Sequence, residues 1–114
     1  MTRRYPIELD PDEQSIAQLI TRDAWSFFTT PTGTSALQPV RRVPHMPTNG
    51  VFVIPDDPRI ITFYLNFAGS YYHELHELGW PFAMYVEVCD RFLTKIERAT
   101  GLKRRVALPD SRHI

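Results

Sequence analysis

Hydrophobic and polar positions along the chain change period several times, and each change predicts a different element. Val51-Phe52-Val53-Ile54 is a run of β-branched and aromatic residues, the composition of a strand. Pro55-Asp56-Asp57-Pro58 follows and reads as a turn, because proline fixes φ and aspartate bonds its own backbone. Arg59 to Phe67 then alternates, with Ile61, Phe63, Leu65 and Phe67 on one face and Ile60, Thr62, Tyr64 and Asn66 on the other. Period two predicts a second strand and a hairpin packed on one side.

Beyond Gly69 the period becomes helical. Ser70 is placed to cap a short helix over Tyr71 to Leu78, with Gly79 as its stop. Pro81 suits the first turn of a longer helix. There Phe82, Tyr85, Cys89, Phe92, Ile96 and Ala99 form one apolar stripe, widened by Met84, Val86, Val88 and Leu93. The stripe is expected to cover the hairpin, with Phe92 facing Phe63 or Leu65. Glu87 and Arg91 stand four apart in the favourable order. Gly101 ends the pattern.

Before the hairpin, Tyr5, Ile7 and Leu9 alternate and suggest an added edge strand. Asp10-Pro11-Asp12-Glu13 announces a helix start: Asp10 as N-cap, proline at the first position, Glu13 closing a capping box. Ile16, Leu19, Ile20, Ala24 and Phe27 continue it as a stripe, broadened by Trp25 and Phe28, up to Thr29-Thr30-Pro31. Residues 31–50 carry four prolines and no helical period. They read as an extended proline-rich arm, or as a loop containing a short strand at Val40 to Val43. Residues 102–114 read as a basic tail, or as an edge strand over Arg105 to Leu108.

The chain of 114 residues is thus expected to form one small α+β domain: N-terminal helix, antiparallel hairpin or three-stranded sheet, long C-terminal helix. A chain of this size buries roughly 65% of its unfolded surface, enough for one core without staples. Cys89 is the single cysteine, so no disulfide forms within the chain. The start of the sequence has no apolar run like that of a signal peptide, and no segment has the length of a membrane span. A soluble intracellular protein is the expectation.

Net charge is zero but unevenly placed. Residues 8–23 are mainly acidic and residues 98–114 mainly basic, so the two ends either attract each other in the fold or offer charged surfaces to a partner. Of the 13 basic residues, all but Lys95 and Lys103 are arginine, which suits bidentate contacts with carboxylates or phosphates.

Chemistry has few candidates. His73, His76 and Glu77 stand three and four apart on the short helix, a spacing that would let two imidazoles and a carboxylate face one metal ion. The alternative is a solvated turn in which Leu75 and Leu78 pack inward. Cys89 lies on an apolar stripe with no histidine spaced to activate it. Asp56 and Asp57 belong to a turn. No phosphate-binding glycine loop, zinc-type cysteine pair, nucleophile elbow or cofactor motif occurs. The expected order helix, strands, helix resembles that of double-stranded RNA-binding domains. That resemblance implies nucleic-acid binding, but those domains open the last helix with a lysine cluster, and this chain has Gly69-Ser70-Tyr71-Tyr72-His73-Glu74 there.

The leading expectation is a non-catalytic protein that binds another protein, as a small inhibitor or immunity-type protein or as an accessory subunit. Its contacts would come from Arg41, Arg42, His45 and Met46 in the arm and from Lys103, Arg104 and Arg105 in the tail. The alternatives are a metal-dependent enzyme using His73, His76 and Glu77, and a nucleic-acid-binding module.

Overall fold

A computed structural model describes residues 4–29 and 50–105. Strand β1 (Arg4–Glu8) leads into helix α1 (Pro11–Thr29); strand β2 (Val51–Pro55) leads into helix α2 (Pro58–Phe67). A 3-10 turn (Ala68–Ser70), helix α3 (Tyr72–Glu77) and helix α4 (Phe82–Thr100) follow. The class is α+β, with an N-terminal helix, a two-stranded antiparallel sheet and a long last helix.

The sheet is not the predicted hairpin. Its partner for β2 is β1, in the register Tyr5 to Ile54, Pro6 to Val53, Ile7 to Phe52 and Glu8 to Val51. Residues 59–67, read as the second strand, are helical instead. The physical reason lies just upstream. Asp57 is an N-cap whose carboxylate accepts from the Arg59 amide, and Pro58 takes the first helical position. Once that turn is started, Ile60 and Tyr64, and Ile61 and Leu65, share faces at i and i+4, and all four are buried.

Helix α1 starts as its sequence predicts. The Asp10 amide donates to Glu13 Oε1 and the Glu13 amide to Asp10 Oδ1, both at 2.8 Å. At the other end of the chain, α4 stops at Gly101, whose φ of 81° is left-handed and whose amide donates to the Glu97 carbonyl. The predicted Ser70 cap does not form: Ser70 belongs to the 3-10 turn, and Tyr71 precedes α3 without a side-chain cap.

The core lies between the inner sheet face and helices α1, α2 and α4. Phe52, Ile54, Ile16, Ile20, Ile60, Ile61, Tyr64, Phe92, Leu93 and Ile96 are all fully enclosed or nearly so. Phe92 packs against Phe52 at a centroid distance of 6.2 Å, and Phe52 in turn against Tyr64 at 5.1 Å. The expectation that Phe92 faces Phe63 or Leu65 assumed a strand there; all three belong to the one core cluster, with α2 a helix. Phe63 stacks on Phe67 at 4.5 Å and leans on Phe27 at 5.3 Å. Buried hydroxyls are paired across the core: Tyr64 and Thr21 share a hydrogen bond of 2.5 Å, and the Tyr85 hydroxyl donates to the Ala68 carbonyl.

The charge asymmetry of the sequence is partly resolved inside the fold. Glu13, fully buried, accepts from Lys95 Nζ at 2.6 Å, and Arg91 donates to Asp10 at 2.7 Å. Lys95 also donates to the Glu8 carbonyl, so one ammonium holds the end of β1 and the start of α1 against α4. Among the described residues, Arg91 and Lys95 of α4 answer Asp10 and Glu13, and Arg22 answers Asp23. No helix among the described residues is long and apolar enough to cross a membrane.

Candidate interaction surface

The residues singled out from the sequence separate into three groups. Arg41, Arg42, His45 and Met46, with the rest of the arm up to residue 49, lie outside the described residues, as do residues 106–114 of the tail. Lys103 and Arg105 are exposed. Arg105 touches the fold through its amide, which donates to Asn66 Oδ1 at 3.3 Å.

Arg104 has an internal role that the sequence did not suggest. Its three guanidinium nitrogens donate to Glu97, Asp90 and Thr94, at 2.9 Å to each of the two carboxylates, and its amide donates to Glu97 at 2.8 Å. The side chain is 17% exposed. Its hydrogen bonds are the first cause of the lowered Glu97 pKa. Gly101 reverses the chain, and Arg104 then fastens it back along α4. Arg104 is thus engaged within the fold, while Lys103 and Arg105 beside it are exposed.

His73, His76 and Glu77 do not converge. His73 Nε2 lies 3.3 Å from Glu77 Oε1, with both side chains well exposed. His76 turns to Tyr72, with ring centroids 5.4 Å apart and Nδ1 3.3 Å from the Tyr72 hydroxyl. Among the described residues no three His, Cys, Asp or Glu side chains are grouped so as to hold a metal ion. Cys89 is buried, its thiol donates to the Ala68 carbonyl at 3.4 Å, and burial pushes its pKa up to about 12. A thiol so protonated is poorly suited to nucleophilic work.

The corner between α3 and α4 presents the most prominent apolar side chain. Leu75 packs inward as expected, but Leu78 does not: it is 74% exposed, the highest among the large hydrophobic residues described. Leu78 is the residue that caps α3. Its amide and that of Trp80 donate to the Leu75 carbonyl, and the Gly79 amide donates to the His76 carbonyl. Gly79, at φ 96°, turns the chain out of the helix. Leu78 is therefore one step past the last helical residue and out of phase with Leu75. The signal was present in the sequence as the glycine immediately after it.

This corner is held firmly from both sides. Tyr72 meets Phe82 edge-on at 4.8 Å and Tyr85 at 5.3 Å. Arg22 of α1 forks onto Glu74 of α3 with two bonds of 2.9 Å. The Tyr71 hydroxyl donates to Asp23 at 2.8 Å. Burial opposes the charge on Asp23, but the bonds from Arg22 and Tyr71 outweigh it and lower its pKa. A large apolar side chain on a braced backbone has little freedom to lose on docking.

No family model, curated protein or solved structure matches this chain.

Proposed function

We propose that the protein acts inside the cell by binding another protein, without chemistry of its own, as a small inhibitor or as an accessory subunit. The observation that carries this reading is Leu78, 74% exposed on a corner fixed by backbone hydrogen bonds and flanking aromatic packing. Binding energy at protein interfaces concentrates in a few well-placed anchors that fill pockets on the partner. Leu78 has the exposure and the rigid support of such an anchor, and Lys103 and Arg105, exposed beyond the far end of α4, offer separate cations for a partner's carboxylates.

A photo-crosslinking side chain placed at position 78 tests this, with position 87 on α4 as the control. Position 78 is expected to give one discrete crosslinked protein and position 87 none. Leu78→Asp should then weaken binding of the purified partner by about 2–4 kcal/mol, the range of a hot-spot residue, with an unchanged melting temperature. Equal crosslinking from both positions, or full affinity in Leu78→Asp, would remove the corner from the interface.

A further inference from the structure

The outer face of the sheet has a pattern of its own, on the opposite side of the strands from the core. Its outward residues on β1 are Arg4, Pro6 and Glu8, all exposed. On β2 they are Val51 and Val53, 42% and 40% exposed. Register places Pro6 beside Val53, Glu8 beside Val51 and Arg4 beside Pro55. The face thus has an apolar centre, with a cation at one end of β1 and an anion at the other. Neither the Arg4 nor the Glu8 side chain forms an ion pair or side-chain hydrogen bond among the described residues. An antiparallel sheet with one solvated face ordinarily puts polar residues there, and valine at both outward positions of β2 departs from that.

We propose that this face packs against the same face of a second copy of the chain. The charge order selects that occupant. A two-fold axis lying between two facing sheets, across the strands at Pro6 and Val53, reverses strand direction. It sets β1 of one copy over β1 of the other, so that Arg4 of each copy lies over Glu8 of its mate. Val53 then meets Val53 and Pro6 meets Pro6 on the axis. Facing sheets stand about 10 Å apart, a gap that an arginine and a glutamate side chain together span. The contact is isologous and closes at two copies. A partner of one charge sign would satisfy one end of β1 and oppose the other. Strands of five residues make a small contact, so the association is weak and reversible. The dimer face is separate from the Leu78 corner and does not depend on the role proposed for it.

Sedimentation velocity over a series from low to high micromolar concentration tests the proposal. The wild-type chain is expected to move from monomer to dimer along the series. Val53→Lys puts two ammonium groups on the axis and should leave only monomer. Arg4→Glu and Glu8→Arg should each raise the dimer Kd by about tenfold or more, since each sets like charges face to face. The combined Arg4→Glu, Glu8→Arg chain should return close to the wild-type Kd, which a merely destabilised fold would not do. Unchanged circular dichroism and melting of the variants confirms that the exposed positions leave the fold intact. A chain monomeric throughout the series would overturn the proposal, as would a dimer indifferent to Val53→Lys. Failure of the charge swap to restore association would overturn the two-fold register.

Discussion

Two short stretches of this protein bring titratable side chains together at helical spacing and end in opposite situations. At the start of α1, Asp10 and Glu13 stand three apart; on α3, His73, His76 and Glu77 stand three and four apart. The first is a pair of carboxylates, the second two imidazoles beside a carboxylate. The first is closed over by α4, so that Glu13 is fully buried and bonded to Lys95 and to the Asp10 amide. The second faces water, and its members pair loosely or turn away from one another. Spacing sets which side chains share a helix face. What packs over that face decides whether their interaction stabilises the fold, because water screens an exposed pair and a buried carboxylate must keep its partners.

The comparison is broken most directly at Glu13. Glu13→Ala removes a capping-box acceptor and leaves Lys95 without its short ion pair. The expected loss is about 3 kcal/mol, the lower end for removing one partner of a buried pair, because Lys95 retains access to solvent. Chemical denaturation reads this directly. A loss under about 0.5 kcal/mol would mean that the α1 start is no better coupled to the fold than an exposed surface position.

Acid should separate the regions next. Burial works against the Asp10 carboxylate, but the Glu13 amide and Arg91 outweigh it and hold its pKa below 3.8. Asp23 is likewise held below 3.8, and Glu97 below 4.5. Groups with depressed folded-state pKa values stabilise the fold above their unfolded values, and lose that contribution as pH falls through the folded ones. Stability should therefore be flat from neutral pH down to about 5 and fall below about pH 4, as these unfolded-state values require. Arg91→Gln should shrink the part of the fall that comes from Asp10. A variant curve that superimposes on wild type would show that Arg91 contributes nothing to it.

The smallest effect is expected at the histidines. His73→Ala with His76→Ala should change stability by less than about 0.5 kcal/mol, as for exposed positions elsewhere. The purified double variant should carry the same metal content as wild type. Stoichiometric zinc or iron lost in the variant would reverse the comparison and make α3 the functional centre.

How much of this was legible differs by element. The Asp10-Pro11-Asp12-Glu13 box needs only four consecutive residues, and it forms as the sequence predicts. The long stripe of α4 and the alternation of Tyr5, Ile7 and Leu9 were equally plain. Residues 59–67 were misread because Ile60 to Phe67 satisfies period two and period 3.6 at once. The arbiter was Asp57-Pro58, the same aspartate-proline signature that was read correctly at Asp10-Pro11. Tertiary partners were less legible. Nothing local says that Arg104 returns to Glu97, or that Lys95 finds Glu13 from 82 residues away. Leu78 escaped for a simpler reason: one residue past a helix end, the phase that places Leu75 inside no longer applies.

The double period of α2 has a consequence for the unfolded chain. Ile60-Ile61-Thr62-Phe63-Tyr64-Leu65-Asn66-Phe67 contains no charge, no proline and no glycine. It is rich in β-branched and aromatic residues, the composition of segments that stack into cross-β fibrils. Native packing hides Ile60, Ile61, Phe63, Tyr64 and Leu65. Whenever that helix melts, its period-two reading becomes available to neighbouring molecules. Asp56, Asp57, Pro58 and Arg59 then act as gatekeepers on the N-terminal side, while Ala68, Gly69 and Ser70 bring no charge to the C-terminal side. Opening of this one ten-residue helix would therefore be enough to expose the segment, without unfolding of the whole domain.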